Sequence, residues 1–158
     1  MSSSDSNGQP TVRSGDVLQL EVESLAFGGE GVARAQNGEK TLVVFVEDVV
    51  PGDAIEVRIG KKKKNFAIGY LQKITKPSAE RITPRCKHFG PATIGCGGCV
   101  WQFMDIHKQR MHKEQQVKDA IKRIGGLDEN LVRPILGGEP WFYRNKWSLV
   151  LVKCLMAH

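Results

Sequence analysis

No apolar run in this 158-residue chain approaches the roughly 20 residues that a membrane-spanning helix needs. The opening Met1 to Thr11 has neither the basic start nor the apolar middle of a secretory leader. Together these two absences give a cytoplasmic protein as the expectation. Cysteine is scarce, with four in the whole chain; under reducing conditions so few thiols point to metal or redox chemistry before disulfides. No internal repeat is visible. What is present is enough apolar material for a core: 41% of residues are hydrophobic, which excludes disorder of the chain as a whole.

Charge is unevenly placed. Met1 to Gly60 holds four Lys/Arg against ten Asp/Glu, and Lys61 to His158 holds nineteen against seven, within a net charge of +6. A molecule basic on one side is suited to a polyanion, although many soluble proteins share such a balance.

Met1 to Gln9 is rich in Ser, Asp, Asn and Gly, so residues 1–10 are expected to form a mobile tail. Between Gly15 and Ile74, short β-type runs alternate with turn signals. The runs are Val17 to Val22, Gly31 to Ala35, Thr41 to Val46, Ala54 to Gly60 and Ala67 to Ile74. The turns are Phe27-Gly28-Gly29-Glu30-Gly31, Asn37-Gly38 and Pro51-Gly52-Asp53. Five short strands predict a small barrel over residues 11–76, OB-like or SH3-like. Residues 77–104 follow no period and carry three of the four cysteines. From Asp105 as N-cap, Ile106, Val117, Ala120, Ile121 and Ile124 fall near one face of a helix that Gly125-Gly126 ends. Asp128 to Pro140 reads as connection. Trp141 to Leu155 begins a β-like region, so residues 105–158 form a helix and an incomplete further unit. The class is mainly β with some α.

The strongest chemical signal is Cys86 with Cys96-Gly97-Gly98-Cys99. Two thiolates on a tight turn can grip one metal centre, and Gly97 and Gly98 let the backbone curl close to sulfur with N–H groups turned to the negative charge. Zinc through a Cys₃His set with His88, an iron–sulfur cluster, and a redox Cys-x-x-Cys pair all remain open at this point. His88, His107 and His112 taken singly read as ordinary surface or hydrogen-bonded histidines.

The ordered set of motifs resembles one family. Its pieces are Ser24-Leu25-Ala26-Phe27-Gly28-Gly29-Glu30-Gly31-Val32-Ala33-Arg34, Val50-Pro51-Gly52-Asp53, and Pro77-Ser78-Ala79-Glu80-Arg81 leading through Pro84 to Cys86. They continue with Cys96-Gly97-Gly98-Cys99-Val100-Trp101-Gln102, Gln116-Val117 and Phe142-Tyr143-Arg144-Asn145-Lys146. This series resembles the S-adenosyl-L-methionine-dependent RNA (uracil-5-)-methyltransferases that carry a TRAM domain and a 4Fe–4S cluster. The resemblance implies an OB-like TRAM barrel contacting ribosomal or transfer RNA. It implies Cys86, Cys96 and Cys99 as three ligands of the cluster, with zinc as the alternative metal. It places the fourth ligand beyond Tyr143-Arg144-Asn145-Lys146, so Cys154 is expected to be a bystander. Methyl transfer is expected to lie outside these 158 residues, which hold no glycine-rich strand-to-helix turn for S-adenosyl-L-methionine. The alternative is a stand-alone TRAM/OB-type RNA-binding module with a zinc or iron–sulfur site.

For RNA, the run Lys61-Lys62-Lys63-Lys64 is expected on a barrel loop, meeting phosphates, with Phe66 available to stack on a base. The plainer reading of Phe66 is a core residue. Arg34, Arg144 and Lys146 are further candidates for RNA contact.

Overall fold

A computed structural model describes residues 11–90 and 95–143. Five strands come first: β1 (Val17–Leu25), β2 (Gly31–Asn37), β3 (Lys40–Val46), β4 (Ala54–Lys62) and β5 (Phe66–Lys76). One helix, α1 (Ile106–Arg123), and a 3-10 turn at Glu129–Leu131 follow.

The strands close into a barrel in the order β1-β2-β3-β5-β4. Four of the pairings are antiparallel, and β3 runs parallel to β5. This crossover closure is the OB-type arrangement, and it leaves no sheet edge unpaired.

Alternation along the strands explains the closure. Leu42, Val44 and Val46 of β3 and Ile55, Val57 and Ile59 of β4 point inward and are buried, each burial contributing about 1.5–3 kcal/mol. Small inward residues opposite them leave the necessary room. A Cβ on Gly69 would lie 2.4 Å from Cγ2 of Val57. Gly38, at φ 64°, makes the short turn that brings Asn37 opposite Lys40.

β1 continues three residues past the expected Val22 because its register shifts between Val22 and Ser24. The bulge redirects the strand end, and Leu25 enters a second core with Val50, Trp101, Phe103 and Met104. This second core holds the cysteine-bearing segment against the barrel.

Asp105 caps α1 as expected, accepting the N–H groups of His107 (2.8 Å) and Lys108 (3.4 Å). Gly126, at φ 63°, follows the helix end. No residue of α1 is buried. Its apolar stripe instead lines an open groove of about 1220 Å³, shared with Phe27, Val100 and Phe142. No described helix is long and apolar enough to cross a membrane. Of the expected β-like region, Trp141, Phe142 and Tyr143 are described and form no strand, and the remainder lies outside the described residues, as do residues 1–10.

Candidate nucleic-acid interface and cysteine segment

The lysine run is not a free loop. Lys61 and Lys62 are the last residues of β4, and the turn consists of Lys63, Lys64 and Asn65, closed by the Lys63 N–H on the Phe66 carbonyl at 2.8 Å. The register shift between Ile59 and Lys62 breaks the strand alternation and turns Lys62 toward Val12 and Asn37. There its Nζ donates to the Val12 carbonyl at 2.6 Å and to Asn37 Oδ1 at 3.3 Å. Lys61, Lys63 and Lys64 are exposed and enter no ion pair with the described residues.

Phe66 lies on the outer wall of the barrel and is half-buried. It packs edge-on against Phe45 of β3 at 5.8 Å, and Lys63 Nζ sits 5.7 Å from its ring centroid. The plainer core reading of Phe66 therefore holds only in part. Arg34 also faces out, from β2, and is paired with Glu23 of β1. Arg144 and Lys146 lie outside the described residues.

In the cysteine segment, Cys86 is half-buried and Cys96 and Cys99 are exposed. The backbone draws the two halves of the loop together: the Cys96 N–H donates to the His88 carbonyl at 2.8 Å and the Gly97 N–H to the Gly90 carbonyl at 3.2 Å. The Cys86 N–H is held by Gln102 Oε1 at 3.2 Å. The thiols themselves are not assembled, and among the described residues no three His, Cys, Asp or Glu side chains are grouped as a metal site.

The TRAM domain family matches residues 12–71, most of the barrel, so this part of the chain is similar to a TRAM domain. The chain is similar to an uncharacterized RNA methyltransferase of Thermosynechococcus vestitus, 42% identical over 133 residues, which cover 84% of this chain and 28% of that protein. A second uncharacterized RNA methyltransferase, of Synechocystis sp., is 40% identical over 138 residues, 87% of this chain and 28% of its own. The 23S rRNA (uracil(1939)-C(5))-methyltransferase of Nitrosospira multiformis is 37% identical over 128 residues, 81% of this chain and 27% of its own. The chain thus spans little more than a quarter of the length of these relatives.

A buried ion pair joins the barrel to the cysteine segment. Asp53, fully buried, accepts from Arg81 Nε at 2.9 and 3.0 Å and from its Nη2 at 2.8 Å. The N–H groups of Val50 and Ser78, both at 2.8 Å, complete its shell. Arg81 also donates to the Asp48 carbonyl at 2.7 Å and stacks on Phe103 at 4.9 Å. Trp101, in the same core as Phe103, donates from Nε1 to the Gly29 carbonyl at 3.0 Å. Four of the sequence motifs therefore meet in one joint.

The joint extends to α1 through Glu80, whose carboxylate meets His112 Nε2 at 2.9 Å and Lys108 Nζ at 3.1 Å. Burial pushes the Glu80 carboxyl upward, but the hydrogen bonds from His112 and Lys108 and the attraction of both groups outweigh it and hold the carboxyl below its usual range. His112 is thus a hydrogen-bonded histidine that ties α1 to Glu80.

Proposed function

We propose that this chain is the RNA-binding and cysteine-bearing part of an RNA uracil-5 methyltransferase acting on ribosomal or transfer RNA. One observation carries the reading. The alignment with the Nitrosospira 23S rRNA uracil methyltransferase extends over 128 residues, so it takes in much more than the barrel matched at 12–71. The barrel and the segment joined to it by Asp53 and Arg81 therefore recur together.

In this reading Lys61, Lys63 and Lys64 meet RNA phosphates, and Phe66 with Lys63 above it offers a stacking surface. Arg34 joins them after leaving Glu23. Lys62 positions the hairpin through Val12 and Asn37, and Arg144 and Lys146 are further contacts. Cys86, Cys96 and Cys99 supply three thiolates of an iron–sulfur cluster, which requires the exposed 96–99 turn to close toward Cys86. Zinc with His88 is the competing occupant. Methyl transfer and S-adenosyl-L-methionine belong to the part of the relatives that this chain does not span.

A chimera tests this directly: these residues replace the matching part of the Nitrosospira enzyme, and methylation of 23S rRNA transcripts is measured. Restored uracil methylation supports the reading. A folded chimera that binds S-adenosyl-L-methionine but leaves the RNA unmethylated contradicts it.

A further inference from the structure

Beyond the lysine hairpin, the outer wall of β4 and β5 carries a feature that strand periodicity conceals. Inward positions Ala67 and Gly69 are buried, while the outward positions Phe66, Ile68 and Tyr70 are also large and apolar. Alternate residues on a strand stand about 6.6–6.8 Å apart, so these three form a line leading from the hairpin along β5. Ile68 is 40% exposed and Tyr70 58%.

Tyr70 is held in place. Its ring rests against Gly60 of β4, where a Cβ would come within 2.3 Å of Cε2 and 3.1 Å of Cζ. Only glycine at position 60 lets the aromatic ring lie this close to the neighbouring backbone. Arg58 stands directly across from Tyr70 in the β4–β5 register, exposed and in no ion pair with the described residues. Glu56, the acidic group on the same face of β4, is engaged by Gln19 at 2.8 Å. The wall therefore combines apolar rings with an exposed arginine that enters no ion pair among the described residues.

We infer that Tyr70, seated on Gly60 and flanked by Arg58, is a second stacking site for single-stranded RNA, which runs from the lysine hairpin past Phe66 to Tyr70. The inference rests on the RNA-binding reading and adds to it a path. A base stacks on the Tyr70 ring, the Arg58 guanidinium meets the adjoining phosphate, and the lysines hold the strand before Phe66. Stacking on an aromatic ring is tolerant of base identity, so this site contributes affinity and register.

The experiment uses the 158-residue chain and a fluorescein-labelled oligouridine, with affinity measured by anisotropy across a salt series. Tyr70→Phe is expected to bind as the wild type does. Tyr70→Leu is expected to bind about tenfold more weakly with an unchanged salt slope, since no charge is removed. Gly60→Ala is expected to reproduce that loss by displacing the ring. In parallel, 5-iodouridine RNA is irradiated on the wild-type protein and the crosslinked peptide is mapped. A crosslink at Tyr70 supports the site independently of how the variants fold. Wild-type affinity in Tyr70→Leu, or crosslinks confined to other elements, overturns the site while leaving hairpin binding standing. Absence of any wild-type binding overturns the underlying reading as well.

Discussion

The guanidinium of Arg81 grips the fully buried carboxylate of Asp53 across 28 positions of sequence, at 2.8–3.0 Å. Removing the cation leaves a buried charge whose remaining partners are two backbone N–H groups. Arg81→Ala is therefore expected to destabilise the protein by about 3–5 kcal/mol. Urea unfolding followed by tryptophan fluorescence reads this; a loss below 1 kcal/mol would show that water replaces the guanidinium without cost.

Glu80 makes part of the stability dependent on pH. Its folded carboxyl lies below the ordinary value of 4.5, so between the folded and unfolded values the unfolded chain binds more protons. The contribution is fully present above about pH 4.5 and is lost as pH falls through the folded value. Wild-type protein should exceed Glu80→Gln in stability at pH 6, and the gap should close on acidification below pH 4.5. A gap that widens with acid would contradict the assignment.

Much of the barrel was legible in the sequence, since inward Val and Ile alternate with outward polar residues and glycines mark the turns. The excess length of β1 was not, because a bulge depends on what the strand end packs against, here Trp101 and Val50. Lys61 and Lys62 lie between two expected strands and read as loop, yet β4 runs on through both, with Lys62 paired to Ala67 of β5. Tyr70 and Arg58 escaped notice for a different reason: an apolar residue on the outward period of a strand looks like any other until the neighbouring strand is known. Asp53 and Arg81 each sat in a recognisable motif, but only the folded chain shows that they meet. Asp105 was readable as an N-cap because that signal is local.

The cysteine segment should change on loading. Reconstituted without oxygen, the protein is expected to take up iron and sulfide. Cys96→Ala should abolish uptake, and Cys154→Ala should leave it as in the wild type. Visible absorption and metal analysis read the result. Stoichiometric zinc with refusal of iron would assign the site to the Cys₃His set through His88.

The barrel is proposed to hold RNA through the tip of the β4–β5 hairpin. The most direct measurement is the salt dependence of oligouridine binding by the wild type and by the triple variant Lys61→Ala, Lys63→Ala, Lys64→Ala. Each phosphate contact on a single strand contributes about −0.7 to the slope of log K against log salt, so losing three should flatten it by about 2. Lys62→Ala should instead lower the unfolding midpoint, because its ammonium ties Val12 and Asn37 together. Triple-variant binding with unchanged affinity and slope would show that these lysines are only solvated, and would contradict the account.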